Sequence, residues 1–205
     1  MHLTRFEVTP LVPVARKGTK YIARPMSHYT SSVSVLSAVR DMLKIARTAR
    51  EVHTLIKQKA LRINGRVVRD YHEPLHLFGL FDADKRYRLV ITSAGRFSLE
   101  ATTAKTRVAK VIGKTMLRGK MLHVNFHDGT NVLTKDKVEV GSSAELDLSN
   151  KVVRWIALGK GAHVFVRSGR SLGQSGKVKS IEGKSIHIEL GGRVVVLDSD
   201  HVIAQ

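Results

Sequence analysis

His72-Glu73-Pro74-Leu75-His76 reads, letter for letter, as the H-E-x-x-H motif. In that motif two histidines one helical turn apart hold zinc and the glutamate acts as a base. Pro74 interrupts a helix and biases the residue before it toward extended geometry, so the segment is expected to be extended. Residues four apart on an extended chain stand about 13 Å apart, too far to share one metal ion. His123 and His127 have the same spacing in a strand-like stretch and fail for the same reason. Gly113-Lys114-Thr115 and Gly183-Lys184-Ser185 carry the last letters of a phosphate loop, but Val108 and Val178 stand where its leading glycine belongs. Gly159-Lys160-Gly161 lacks the third glycine of a dinucleotide fingerprint, no G-x-S-x-G elbow occurs, and the acids are scattered. With no cysteine, disulfides, thiolate-bound metals and thiol nucleophiles are excluded. The expectation is therefore no catalytic residue, no metal, no cofactor and no small-molecule substrate.

The basic residues are a different matter. Thirty-five Lys and Arg against 17 Asp and Glu leave a net charge of +18 on 205 residues. Such an excess repels itself, and a polyanion relieves it by exchanging counterions at phosphates. Between Arg40 and Tyr71, nine basic residues face three acidic ones, a local excess of +6. Arg40, Lys44 and Arg47 fall at i, i+4 and i+7, spacing that lines one face of a helix. Arg47 and Arg50 bracket the start of a second helix, whose free N–H groups favour phosphate. Lys59, Arg62, Arg66 and Arg69 follow. In the first thirty residues Arg5, Arg16, Lys17, Lys20 and Arg24 face one acid, Glu7. Charges on an ordinary solvated face come in both signs, so these two groups are the candidate RNA-binding residues.

The elements that must position them follow from periodicity. Three of the four prolines fall at Pro10, Pro13 and Pro25, so the N-terminal stretch reads as an irregular extension to be ordered by a partner, with Val12, Tyr21 and Ile22 able to dock. Val35, Val39, Met42 and Ala46 predict a helix over 33–46. Thr48 and Glu51 form a capping box ahead of a second helix, with Val52, Leu55 and Ile56 as its buried stripe. Asn64-Gly65 then predicts a type I′ hairpin with Ile63 opposite Arg66 and Arg62 opposite Val67. If that hairpin packs beside the helices, Arg66 extends their basic face. Beyond residue 76 the chain reads as short strands, with Asp128-Gly129 marking another hairpin and turn signals recurring through 163–205 as in small β-barrels. No apolar run reaches the roughly 20 residues of a membrane span, and the N-terminus has no signal-peptide core. A soluble, intracellular protein with no membrane partner is expected.

Helix, turn with "TAREV", helix, then "KALRINGRVVRD" resembles the S-four-type RNA-binding domain. "RKGTKYIARP", "GRFSLEATT", "VEVGSSAELDL", "KVVRWIALGKGAHVFV" and "SGRSLGQSGKVKSI" extend the resemblance over nearly the whole chain to the small-subunit ribosomal protein S four-e family of archaea and eukaryotes. The last stretch is similar to its KOW motif, with Gly169, Gly173 and Gly176 as turn glycines. The resemblance implies an α+β, mostly β fold. It places a basic N-terminal extension at 1–32, an S-four-type helix-turn-helix and hairpin domain at 33–93, a central β domain at 94–160 and a C-terminal KOW/SH3-like β-barrel at 161–205. It implies a non-catalytic constituent of the small ribosomal subunit in the cytoplasm. The implied partners are small-subunit ribosomal RNA and neighbouring small-subunit ribosomal proteins. Tyr21, Tyr29 and Trp155 are candidate stacking residues, with core packing the stronger expectation for Trp155. "MSHYTSSVS" replaces the family's Gly-Pro-His stretch, Ala49 stands where many such domains carry arginine, and the chain stops soon after the KOW segment, which points to the archaeal type. The rival readings are an RNA-modifying enzyme and a KOW-containing translation or transcription factor built on the same modules.

Overall fold

In the computed structural model, which describes residues 2–205, Asn64 and Gly65 both take positive φ, 51° and 83°, the backbone of a type I′ turn. Arg62 pairs with Val67 and Ile63 with Arg66, the predicted register. Leu61, Ile63 and Val68 are buried while Arg62, Arg66 and Arg69 are exposed.

The chain divides into two compact units, one ending at Ala104 and the other beginning at Lys105. The first holds β1 (Leu3–Thr4), β2 (Tyr21–Ile22), β3 (Ser32–Ser34), β4 (Arg62–Ile63), β5 (Arg66–Val67), β6 (Pro74–His76), β7 (Leu80–Asp82), β8 (Arg86–Ile91) and β9 (Phe97–Ala101). Its main sheet runs β5-β4-β7-β8-β9, and β1 pairs with β2 and β3 with β6. The pairing of β9 with β8 carries this sheet past residue 93 to Ala101. Two short helices pack with it: α1 (Val35–Ser37), continued by a π turn over Ala38–Met42, and α2 (Ala49–Lys57).

The helix expected over 33–46 is shorter than its spacing suggests. Ser32–Ser34 is a strand paired with Pro74–His76, the π turn closes with Leu43 N–H on Ala38 O at 2.9 Å, and Lys44 at φ 57° ends it. Every residue from Ser32 to Val39 is buried. Without a solvent face, tertiary pairing rather than amphipathic periodicity decides the conformation. The N-terminal stretch is also corrected. It docks on the body of the first unit through Met26 N–H to His72 O (2.9 Å), Phe97 N–H to Leu11 O (2.7 Å) and a contact between His72 Nδ1 and Arg24 O (2.8 Å). Leu3 and Ile22, opposite one another in its β1–β2 pair, are its buried apolar residues.

The second unit contains β10 (Thr106–Leu117), β11 (Met121–Phe126), β12 (Asn131–Thr134), β13 (Ser143–Asp147) and β14 (Val152–Ile156), in the order β12-β11-β10-β13-β14. It also contains β15 (His163–Val166), β16 (Ser175–Glu182), β17 (Ser185–Leu190), β18 (Arg193–Asp198) and β19 (Val202–Ala204), in the order β18-β17-β16-β15-β19. Both sheets are antiparallel. Ala109, Val111, Val124, Phe126, Ala144 and Leu146 form the core of the first, with Trp155 packed against them. Trp155 stacks on Phe126 at 6.3 Å and donates its indole N–H to Asp136 at 2.9 Å, so it is a packing residue. Val164, Val166, Val178, Ile186, Ile188 and Val202 fill the second core. The mostly β character with little helix matches the sequence reading. Gly176 is not a turn glycine: it lies within β16 opposite Val164, and a Cβ there would stand 2.2 Å from Glu189 O. Gly169 and Gly173 do sit in turns, at φ 96° and 81°.

One buried cation closes the first sheet of this unit. Arg107 occupies an inward position of β10 beside Ala109 and Val111, and its side chain and that of Asp128 are each 2% exposed. Nε donates to Asp128 (3.0 Å), Nη2 to Asn150 Oδ1 (2.7 Å) and Thr130 Oγ1 (3.0 Å), and Nη1 to Asp147 O (3.3 Å). A single guanidinium therefore fastens the β11–β12 and β13–β14 turns to the central strand. Burial alone would raise the Asp128 pKa; Arg107 and the Thr130 N–H overcome it and hold the carboxyl below its usual range. Lys110, also on β10 and 2% exposed, donates its ammonium to Ser199 O (2.6 Å) and Val202 O (2.8 Å), which ties this sheet to β19. Burial, then the nearby charge of Arg167, pushes the Lys110 pKa down to about 8.

Arg107→Ala strands a buried carboxylate and is expected to lower unfolding free energy by roughly 3–5 kcal/mol, measured by urea denaturation. Because the Asp128 pKa is depressed in the fold, that difference is present above the ordinary aspartate value of 3.8 and shrinks as pH falls through the folded value.

Candidate nucleic-acid interface

The helix–hairpin region presents its cations through local capping chemistry. Thr48 Oγ1 accepts from Glu51 N–H (3.2 Å), and the Glu51 carboxylate accepts from Arg47 N–H (2.8 Å). That bond, joined by the Thr48 contacts and opposed by desolvation, holds the Glu51 pKa below its usual range. The capping box forms, with the glutamate reaching one residue further back than the usual N-cap amide. The Arg47 and Glu51 amides are thus already satisfied, so these two N–H groups of the helix start are not open to phosphate. The side chains of Arg47 and Arg50 remain exposed.

Arg40, Lys44 and Arg47 do not lie along one helical face, because the helix ends at Met42 and Lys44 is left-handed. They converge all the same. A cleft of about 840 Å³ is lined by Arg5, Lys17, Arg40, Lys44 and Arg47, with Asp41 the one acid in its wall. Asp41 grips Arg40 bidentately at 2.8 and 2.9 Å, and this pairing raises the Arg40 pKa further. Arg5 plays a different part from its neighbours. Its guanidinium donates to Thr19 O (2.8 Å), Thr19 Oγ1 (3.2 Å) and Ala15 O, closing the loop that exposes Arg16, Lys17 and Lys20. Arg24 lies over the Tyr29 ring at 4.8 Å and Lys20 over Tyr21 at 5.4 Å.

The hairpin arginines do not line this cleft. Arg66 turns to Glu73, a carboxylate 8% exposed that also accepts from Arg69 N–H (2.7 Å) and Asp70 N–H (3.3 Å). It anchors the hairpin and does not extend the Arg40–Arg47 surface. Glu73, the presumed base of the H-E-x-x-H letters, is thus a structural acceptor, and Pro74–His76 is the strand β6. Arg62 and Arg69 are exposed, with no ion-pair partner among the described residues. Arg96 escaped sequence reasoning. A lone arginine in a Ser-Ala-Gly-Arg turn carries no pattern, yet it shares a second cleft, about 610 Å³, with Arg5 and Arg16.

Two features set the balance of charge. Of the first unit's eight carboxylates, seven accept hydrogen bonds within it: Glu7 from Thr4 N–H, Asp41 from Arg40, Glu51 from Arg47 N–H, Asp70 from His72 N–H, Glu73 as above, Asp82 from Arg86 and Asp84 from Tyr87. The unit's eighteen Lys and Arg are left largely uncompensated. In addition, Lys44, Lys59 and Lys120 hold positive φ of 57°, 57° and 59°, where glycine is the unstrained residue. Lys59 is the left-handed residue of a Schellman motif: its N–H donates to Ile56 O (2.9 Å) and that of Ala60 to Leu55 O (3.1 Å).

Comparison with known proteins agrees with this architecture. The profile described as Ribosomal family S4e matches residues 83–153, from β8 into β14. The small ribosomal subunit protein eS4 of Methanocella arvoryzae is 30% identical over 192 residues, covering 88% of this chain and 81% of that protein. The protein of the same name from Archaeoglobus fulgidus is 29% identical over 187 residues, covering 88% and 80%. The crystal structure of the 30S ribosomal protein S4e from Thermoplasma acidophilum superposes with a TM-score of 0.74 at 24% identity, over 85% of this chain and 94% of that one, which establishes a common fold. The chain belongs to ribosomal family S4e.

Arg66→Ala is expected to cost about 1 kcal/mol, the upper range for a half-exposed pair, while Arg62→Ala and Arg69→Ala stay within about 0.5 kcal/mol; thermal melts separate them. Lys59→Gly should hold or raise the melting midpoint by relieving the left-handed lysine. Lys57→Gly, in the last turn of α2 proper, should lower stability by up to about 1 kcal/mol.

Proposed function

We propose that this protein is a non-catalytic, structural constituent of the small ribosomal subunit, working in the cytoplasm bound to small-subunit ribosomal RNA and beside other small-subunit proteins. The observation that carries the reading is the cleft in which Arg5, Lys17, Arg40, Lys44 and Arg47 converge with one paired acid, on a chain of family S4e. Folded RNA is recognised mainly through shape, phosphate and 2′-OH contacts. Lysines and arginines fixed on a braced loop, a helix start and a hairpin neutralise phosphates where RNA segments approach one another. No helix among the described residues is long and apolar enough to cross a membrane.

Within this reading, residues 1–32 form a basic N-terminal segment and 33–93 an S-four-type domain, supported by the α1–α2 pair and the Asn64-Gly65 hairpin. Residues 94–160 form the central β domain, apart from β9, which the first unit's sheet retains as far as Ala101. Residues 161–205 form a KOW/SH3-like barrel, supported by the sheet β18-β17-β16-β15-β19 and the Gly169 and Gly173 turns. The RNA-facing residues are Arg16, Lys17, Lys20, Arg24, Arg40, Lys44, Arg47, Arg50, Lys59, Arg62 and Arg69. Arg5 and Arg66 contribute charge while holding their loops.

On sucrose gradients the protein is expected to sediment with the small subunit at low salt and to be released as salt rises; recovery in the top fractions at low salt would overturn residency. Lys17→Ala/Lys44→Ala/Arg47→Ala is expected to flatten the salt dependence of RNA binding by about 2–3 in log–log slope, since each lost phosphate contact removes roughly 0.7–0.9.

A further inference from the structure

Five of the six phenylalanines are buried: Phe78, Phe81, Phe97, Phe126 and Phe165 are each at most 7% exposed. Phe6 is 95% exposed. We propose that Phe6 is a stacking platform for one unstacked base of a single-stranded RNA segment, with Arg16 and Arg96 taking the flanking phosphates. The proposal rests on the RNA-binding reading above and adds to it a base contact, where that reading invokes only backbone charge.

The ring is presented by a braced turn. Glu7 N–H donates to Thr4 O (3.1 Å) and the Glu7 carboxylate accepts from Thr4 N–H (3.0 Å), so the turn closes over Arg5 and Phe6. Arg5 is itself tied to Ala15 and Thr19. The backbone that carries the ring is thus ordered before binding, which spares that part of the conformational cost. Phe6 lines the 610 Å³ cleft together with Pro10, Pro13, Arg16 and Arg96, a volume within the roughly 300–1,000 Å³ of clefts that enclose small ligands. The apolar walls suit the face of a base and the arginines suit its phosphates.

The charge around the ring selects the partner. The cations lining its cleft are Arg5, Arg16 and Arg96, no acid lines that cleft among the described residues, and Glu7, next in sequence, accepts from Thr4 N–H. Single-stranded RNA is bound by this combination of aromatic faces for bases and cations for backbone. The other well-exposed aromatics, Tyr21 and Tyr29, already carry Lys20 and Arg24 over their rings. The Phe6 ring has no ring or cation partner among the described residues.

The test uses the full-length chain and a small-subunit ribosomal RNA transcript. Phe6→Ala is expected to weaken binding roughly 5- to 100-fold at fixed salt, with the log–log salt slope and the melting midpoint unchanged; Phe6→Trp retains wild-type affinity. Arg16→Ala instead lowers the slope by about one. If the wild type binds and Phe6→Ala binds equally well, the stacking role is overturned and the broader reading stands. A Phe6→Ala protein that binds RNA normally but fails to retain a neighbouring protein in assembled subunits would assign the ring to a protein contact and equally overturn it. If the wild type shows no salt-dependent binding to the transcript, both readings fall.

Discussion

Positive charge that outnumbers negative charge two to one must be held together against its own repulsion, and this sets the terms for the rest of the structure. Carboxylates are too few to be scattered over the surface as pairing partners. They are placed instead where one acid fixes several backbone or side-chain groups at once. Glu73 gathers Arg66 and two backbone amides beneath the hairpin, and Asp128 receives Arg107 at the junction of two turns. Each such acid removes one cation, or none, from the surface while ordering a loop. The apolar cores do the remaining holding with Val, Ile and Leu and need few aromatic rings.

That division of labour separates two kinds of arginine that look alike in a sequence. Arg5, Arg66 and Arg107 have guanidinium groups directed at protein acceptors; Arg62 and Arg69 have none among the ion pairs. The distinction depends on where the acceptors fall. Those of Arg107 lie 21, 23, 40 and 43 residues away, and no local pattern announces them. The same is true of the docked N-terminal stretch, held by backbone groups at Leu11, Arg24 and Met26 that any residue type would supply.

What was legible had a local cause. Asn64-Gly65 determined a turn and with it a register, and Thr48 with Glu51 determined where α2 begins. Helical spacing over 33–46 was a weaker guide, because burial on all sides lets a strand pairing and a π turn satisfy the same apolar residues. Arg40, Lys44 and Arg47 nevertheless share one cleft, although past the helix end, with Lys44 left-handed, and not by the helical face their spacing suggested. Gly176 shows the limit for glycine: the letter announces a special need but does not say whether that need is a turn or the close approach of Glu189 O.

The Asn64-Gly65 turn has a chemical consequence over time. Asparagine followed by glycine is prone to cyclise through the glycine amide and to reopen as aspartate or its isomer with an extra backbone carbon. Either product would bring a negative charge to the tip of a basic hairpin, and the isomer would also break the two-residue register that sets Ile63 against Arg66. Here Asn64 Oδ1 accepts Leu80 N–H at 2.8 Å, and Asn64 N–H donates to Leu80 O at the same distance. The side-chain amide is thereby restrained from the rotation that ring closure requires, so the bond that shapes the turn also slows its ageing for as long as the sheet stays folded.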